Sequence, residues 1–155
     1  AGIAVARTAQ EALRKIADAE AVFVSRGDDS GTHNRERSLW GAIAANLDQK
    51  NGWYRSVGAG MGAALNTASG MNAYIMSDRA SWLNFGNKGG LAMLYAGDPA
   101  LFNQYAYLPV NPLLHRHVKT TQAKNLEAWL TSSRAKELIN NYQIDGEKLF
   151  FFNAE

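Results

Sequence analysis

The chain has no cysteine, little net charge and no long apolar segment, and each absence excludes a class of protein. Without cysteine there is no disulfide, no thiolate nucleophile and no thiolate metal site. The net charge is only +2 and the aromatic residues are scattered, so no dense basic face is available and nucleic acid is not an expected partner. No apolar run reaches the roughly 18 residues of a membrane span. The sequence therefore predicts no membrane-spanning segment.

The length and composition predict one core. The 155 residues are 46% apolar, which is enough for a single domain or one large lobe. Residues Ala1–Val5 have neither the charged start nor the long apolar stretch of a signal peptide. We therefore expect a cytoplasmic chain, a mature exported chain or a part of something longer, and the sequence does not choose among them.

Short apolar segments alternate with helical patterns, which is typical of an α/β protein with a mainly parallel sheet flanked by helices. We expect strands at Ala21–Ser25, Trp53–Val57, Ala73–Met76 and Leu91–Tyr95, and an edge strand within Gln104–Pro112. We expect helices at Ala9–Ala19, from Thr32 past Ile43, from the Gly58–Gly62 turn to Ser69, at Ala80–Phe85, at Thr121–Leu130 and at Ala135–Tyr142.

Two helix starts carry clear signals. Thr8 and Glu11 have the spacing of a capping box, in which Thr8 is the N-cap and Glu11 reaches back. Asp29 or Ser30 is a suitable N-cap for the helix that follows Thr32. In that second helix we expect Leu39, Trp40 and Ile43 to be buried, and Arg35 and Glu36 to lie in solvent.

The segment Phe23–His33 is the candidate binding site. A turn-forming cluster lies between an apolar strand and a helix, so backbone N–H groups at Ser30 to Thr32 should be available to a small anion. Arg26 adds a planar set of charged donors, and Ser30 and Thr32 add hydroxyl groups. In parallel sheets ligands bind at the carboxyl ends of strands, where this turn falls. The pattern predicts an oxyanion receptor.

The same turn allows another interpretation, and it also leaves the identity of the anion open. Arg26 could merely pair with Asp28 or Asp29 on the surface while Ser30 caps the helix. The aspartates also decide which anion fits, because a carboxylate facing the ligand favours a protonated anion such as hydrogen phosphate. If the aspartates instead orient the donors from behind, a proton-free dianion such as tungstate, molybdate or sulfate fits better.

Catalysis and metal binding are less well supported. Ser30 and His33 are close in sequence, but no further group supplies the orienting acid and base geometry of nucleophilic catalysis, so no catalytic residue is assigned. His115 and His117 could face one side of a strand, but two ligands make no metal site, and no cofactor is expected. A third class is an effector-sensing module of a larger regulator.

A second glycine-rich turn, Gly58–Gly62, precedes the next predicted helix. Its third glycine comes too early for a dinucleotide-binding fingerprint, and no acidic residue follows at a suitable position. Small residues at this turn predict either close packing or a backbone contact to a ligand.

These motifs resemble the tungstate-binding periplasmic proteins of ABC importers. The resemblance is carried by Phe23–His33 with Glu36, Leu39 and Trp40, by Trp53–Arg55, by Gly58–Gly62, by Ala73–Tyr74 and Asp78–Arg79, and by Leu149–Phe151. It implies that Arg26, Ser30, Gly31 and Thr32 hold the ligand. The Arg-x-Asp-x-Ser-Gly-Thr spacing is also similar to phosphate-binding proteins of the same superfamily, so phosphate and sulfate remain alternatives.

The resemblance also implies a larger assembly. Such proteins have two lobes that close over the anion, and the Thr/Ser-rich turn of their first lobe does not precede the opening strand here. We therefore expect residues 1–155 to be one α/β lobe, the second, with the returning C-terminal segment. The implied partners are a small inorganic oxyanion and an ABC transporter permease, which would be the only link to a membrane. The implied location is the periplasm or the extracellular face.

Overall fold

The computed structural model describes residues 1–47 and 52–154. The chain divides into two compact units, Ala1–Phe102 and Asn103–Glu155. The prediction of a single lobe over residues 1–155 stays a prediction. Among the described residues, no helix combines the length and the apolar character needed to cross a bilayer.

The first unit is a parallel sheet with helices on both faces, which confirms the predicted α/β class. Its elements are α1 Ala9–Asp18, β1 Phe23–Ser25, α2 Gly31–Ala42, β2 Tyr54–Ser56, α3 Met61–Met71, β3 Tyr74–Ile75 and α4 Arg79–Asn84, with 3-10 turns at Ile3–Val5 and Pro99–Leu101. The strand order is β2-β1-β3, and both pairings are parallel. The carboxyl ends of the three strands therefore meet at one edge.

Strand β1 is central, and its three residues are buried. Phe23 packs among Ile16 of α1 and Leu39 and Trp40 of α2, whereas Val24 faces the other way into a small cluster with Ala64 and Ala68 of α3. Successive strand residues point to opposite faces of a sheet. Helices α1 and α2 thus cover one face and α3 covers the other.

An aromatic cluster fixes α2 on the sheet. The ring of Trp40 meets the ring of Phe23 edge-on at 5.1 Å between centroids and that of Trp53 at 5.6 Å, and Phe23 stacks on Tyr54 at 6.0 Å. Edge-on and offset aromatic pairs stabilise cores beyond the area that they bury. This cluster anchors the helix whose first turn carries the candidate site.

Helix α1 begins as its sequence predicts, with one difference. The Thr8 hydroxyl accepts from the Glu11 N–H at 3.1 Å, which confirms Thr8 as the N-cap. The Glu11 carboxylate reaches back to the Arg7 N–H at 2.9 Å. The Glu11 carboxylate therefore accepts from the residue before the N-cap, and not from the N-cap itself as in a standard capping box.

The second unit contains α5 Thr120–Leu130, α6 Ser133–Asn141 and a hairpin of β4 Gln143–Ile144 with β5 Glu147–Lys148. The hairpin turn is Asp145–Gly146, both with positive φ. Asp-Gly is a strong signal for such a two-residue turn. This hairpin is not among the strands predicted from the sequence.

Two predicted strands are wrong. Within the described residues, neither Leu91–Tyr95 nor Gln104–Pro112 enters a strand ladder. In the first segment Met93 and Leu94 are 49% and 44% exposed. An apolar run becomes a strand only when a neighbouring strand takes its N–H and C=O groups, and no described segment does so here.

Candidate functional site

The turn between β1 and α2 is built by close approach to β2. Gly27 has φ +62°, and a Cβ there would lie 1.8 Å from Ser56 Oγ and 3.3 Å from the Gly58 nitrogen. The backbone N–H groups of Val57 and Ala59 donate to the carbonyls of Ser25 and Arg26. The turn after β1 is therefore tied directly to the turn after β2.

Arg26 is held by Asp28. The guanidinium donates through Nε, at 3.1 Å, and through Nη2 to the same oxygen, Oδ2, while Oδ1 accepts from the Ser30 N–H at 3.3 Å. The side chains of Arg26 and Asp28 are only 17% and 19% exposed. The Ser30 hydroxyl and N–H and the Arg26 guanidinium lower the pKa of Asp28 to about 2. Asp28 thus stays charged and orients the donors of this turn, and it leaves Arg26 further N–H groups for a ligand.

Helix α2 begins with two N–H groups that no described residue accepts. Ser30 is the N-cap, and its hydroxyl accepts from the His33 N–H at 3.3 Å. Its own N–H is taken by Asp28. Within the described part of the chain, no acceptor contacts the N–H groups of Gly31 and Thr32 or the Thr32 hydroxyl. Of the three N–H groups predicted to bind an anion, those of Gly31 and Thr32 are available, and that of Ser30 is not. The N-cap bond itself uses the N–H of His33.

Asp29 lies on the outer side of the turn, with its side chain 85% exposed. Its backbone is left-handed, with φ +55°, and is fixed by two bonds. The Asp29 N–H donates to His33 Nδ1 at 3.0 Å, and the Asn34 amide donates to the Asp29 carbonyl at 3.0 Å. In the described residues, no hydrogen bond links the Ser30 hydroxyl to the His33 ring. The geometry of a serine nucleophile with its base is therefore not formed here.

The second glycine-rich turn opens α3 at the same edge of the sheet. Gly60 is the N-cap and provides no side-chain bond. The helix starts at Met61, and the turn before it is tied to Arg26 through the Ala59 N–H. A backbone contact from this turn to a ligand stays a prediction.

The predicted exposure of Glu36 is wrong. Glu36 is 1% exposed and accepts a hydrogen bond from the Tyr54 hydroxyl at 2.8 Å. Burial raises its pKa. Burial also raises the pKa of Tyr54 to about 12, so the phenol remains a donor. Glu36 lies three and four residues before Leu39 and Trp40, and this spacing placed it on the buried face.

The paired histidines do not form a strand motif. His115 and His117 are exposed in a turn region, with ring centroids 6.2 Å apart. Across residues 1–47 and 52–154, no group of three or more possible metal ligands occurs.

The predicted ligand residues thus occupy one short turn. Arg26 directly follows β1, Ser30 is the cap, and Gly31 and Thr32 carry N–H groups of α2 that no described residue accepts. Their contact with a ligand stays a prediction.

Comparison with known proteins identifies relatives of this arrangement. Residues 4–134 match the PBP superfamily domain. The chain is 39% identical over 145 residues to the tungstate-binding protein TupA of Peptoclostridium acidaminophilum, covering 92% of this chain and 50% of that protein. It is 40% identical over 159 residues to a putative ABC transporter anion-binding protein of Haloferax volcanii, covering 99% of this chain and 46% of that protein.

A solved structure of a relative has a similar fold. The tungstate-binding protein TupA from Desulfovibrio alaskensis G20 superposes with a TM-score of 0.80 and 39% sequence identity, covering 96% of this chain and 61% of that one. The chain spans about half the length of the two curated relatives. It belongs to the PBP superfamily.

Proposed function

We propose that this chain binds a small tetrahedral oxyanion, with tungstate or molybdate as the leading ligands, as part of the solute receptor of an ABC importer. The names of its relatives support this class, since they are tungstate-binding proteins and a putative anion-binding protein of an ABC transporter. Because the chain spans only about half of the curated relatives, the activity of the whole protein is part of the proposal.

The observation that carries the proposal is Arg26 fixed by Asp28 beside the free N–H groups of Gly31 and Thr32. An oxyanion offers only acceptors, so a site that replaces its water shell needs several fixed donors, at least one of them charged. Each charge-assisted hydrogen bond contributes roughly 1.5–3 kcal/mol. The α2 N-terminus adds its partial positive charge.

The orientation of Asp28 favours one type of anion. Its carboxylate is directed to Arg26 and to the Ser30 N–H. Its oxygens therefore support the donors and are directed to them, and not to the hydrogen of a ligand such as hydrogen phosphate. A fully deprotonated dianion, tungstate or molybdate before sulfate, is the better match.

The context of the proposal is transport. A receptor of this kind would lie in the periplasm or at the extracellular face, close over the anion by a hinge between two lobes, and present both lobes to a permease. The lobe described here would supply the Arg26 side of the site. Its relatives are named as binding proteins, which supports a binding role without a chemical step.

The test is thermal unfolding with tungstate, molybdate, sulfate or phosphate added separately. We expect tungstate or molybdate to raise the melting temperature, because a ligand that binds only the folded state stabilises it. The increase should vanish in Arg26→Ala. Arg35→Ala is the matched control, since it removes the same charge from an exposed position on α2 and should keep the increase.

Three outcomes would contradict the proposal. They are a melting temperature that none of the four oxyanions raises, an increase that persists in full in Arg26→Ala, and an increase that is also lost in Arg35→Ala. The last result would show that the stabilisation reflects overall positive charge and not this turn.

A further inference from the structure

Glu36 is a buried carboxyl group that the proposed binding contacts do not use. It lies on α2 with 1% of its surface exposed, in the same part of the core as Phe23, Trp40 and Tyr54. Burial of a carboxylate is costly unless hydrogen bonds or opposite charge compensate. The surroundings of this group therefore indicate what it does.

The partners of Glu36 come from three elements. Tyr54 of β2 donates to Oε1 at 2.8 Å. The Ser25 hydroxyl of β1 and the Trp40 indole of α2 lie close enough to lower the pKa of Glu36. Both of these polar groups are buried and, among the described residues, lack a hydrogen-bond partner in good geometry. The Glu36 carboxyl group thus has a hydrogen-bond partner in Tyr54. The neighbouring Ser25 hydroxyl and Trp40 indole have none among the described residues.

The charged and titratable groups acting on this pair are few. Tyr54 acts on Glu36 from β2, and His33 acts on it from α2. Arg37 acts on Tyr54. The opposing effects leave burial dominant, so the pKa of Glu36 is raised.

Glu36 lies on the helix whose first turn carries the candidate site. It is one helical turn beyond Thr32 and His33, on the same side of α2. Ser25 immediately precedes Arg26, and the His33 ring accepts the Asp29 N–H. Glu36 and its neighbours Ser25, His33 and Tyr54 therefore connect the end of β1, the first turn of α2 and the start of β2. These are the elements that hold the site.

We infer that Glu36 is a positioning residue of the oxyanion site, and that a bound dianion and a proton on Glu36 favour each other. This inference rests on the proposed function for its ligand. A carboxylate in this poorly solvated interior repels a dianion at the start of α2, whereas the neutral acid does not. By thermodynamic linkage, an anion that binds better to the neutral form must also favour protonation. The neutral acid can in addition donate to the buried Ser25 hydroxyl.

The first test needs no ligand. Backbone amide NMR shifts of Gly31 and Thr32 are followed over a pH series in the wild type, in Glu36→Gln and in the control Glu137→Gln. Glu137 is 58% exposed in α6, so its replacement should leave the shifts unchanged. We expect both amides to titrate together with the Glu36 carboxyl in the wild type and not in Glu36→Gln. Amide shifts of Gly31 and Thr32 that do not change with pH, or that change equally in Glu36→Gln, would overturn the positioning role.

The second test is calorimetry with micromolar tungstate, over a pH series in which tungstate stays a monomeric dianion. We expect affinity in the wild type to fall about fivefold or more as Glu36 ionises, within the range of measured coupling between sites. In Glu36→Gln the decrease that accompanies ionisation of Glu36 should be absent. A residue with a purely structural role would change the melting temperature and leave the pH profile in place.

Tyr54→Phe keeps the inference testable if Glu36→Gln does not fold. Loss of the phenol donor removes a bond to the charged form, so the pH at which affinity falls should move upward. An unmoved midpoint, or a pH profile that survives in Glu36→Gln, would overturn the inference. If the wild type binds no tungstate, the proposed function fails, and the ligand-free amide titration still decides the role of Glu36.

Discussion

At the scale of single residues, the candidate site depends on how a few charged groups are held. Arg26, Asp28 and the first N–H groups of α2 are close in sequence, so the predicted turn could be derived from local spacing. The orientation of Asp28 could not, because a carboxylate two residues from an arginine can face the ligand or the turn. The structure shows the second arrangement.

Acid stability should report the Asp28 contacts. The folded-state pKa of Asp28 is about 2, below its ordinary 3.8, so its contribution to stability is present above 3.8 and is lost as pH falls towards 2. Asp28→Asn should remove this part of the acid dependence. Urea unfolding at a series of acidic pH values measures it. Asp18→Asn, on α1, is the control and should keep the wild-type loss of stability between pH 3.8 and 2. An Asp28→Asn profile identical to the wild type would contradict this.

Gly27 should tolerate no side chain. Its φ of +62° is unfavourable for other residues, and an added Cβ would collide with Ser56 Oγ and press on the Gly58 backbone. We expect Gly27→Ala to lower the free energy of unfolding by roughly 1–3 kcal/mol. Gly41→Ala is the control, since Gly41 lies in α2 with nothing within 4 Å, and it should stabilise by about 0.5–1 kcal/mol. Urea unfolding of both variants decides the point; equal effects would refute it.

Glu36 shows a limit of residue-type reasoning. Its spacing from Leu39 and Trp40 indicates the buried face, whereas its charge indicates solvent, and the prediction from charge is wrong. Tyr54, which makes burial tolerable, is 18 residues away in sequence. Such a partner is brought close only by the parallel pairing of β1 with β2.

At the scale of elements, helices were predicted better than strands, for a physical reason. A helix satisfies its backbone internally, and its ends carry side-chain signals such as Thr8 and Ser30, both of which cap helices in the structure. A strand needs a partner that the segment itself does not specify. Leu91–Tyr95 is apolar enough for a strand, but it finds no ladder within the described chain.

The N-cap of α1 provides a test of this local encoding. The Thr8 hydroxyl satisfies the Glu11 N–H at the helix start. We expect Thr8→Ala to reduce the free energy of unfolding by about 1 kcal/mol, the usual effect of a lost N-cap. Thr8→Ser retains the hydroxyl and should remain within a few tenths of a kcal/mol of the wild type. Thermal or urea unfolding compares them, and a Thr8→Ser loss as large as that of Thr8→Ala would argue against capping.

At the scale of the whole chain, burial is unevenly distributed. Among the described residues, every buried apolar side chain except Ala135 belongs to Ala1–Phe102. In Asn103–Glu155, large apolar side chains such as Leu108, Leu113 and Trp129 are 82%, 85% and 47% exposed. Composition alone predicted one core for the chain, and it could not predict this asymmetry, because composition carries no information on which segments pack together.

Amide hydrogen exchange of the intact chain should follow this asymmetry. Exchange protection reflects the free energy of local opening, which rises with the number of buried apolar contacts around an element. We expect the slowest exchange in β1, α2 and α3, which surround Phe23, Val24 and Trp40, and faster exchange in α5 and α6. Mass spectrometry of peptides from both units measures this, and the solvent-exposed hairpin β4–β5 serves as the fast reference. Protection in α5 equal to that in β1 would contradict this expectation.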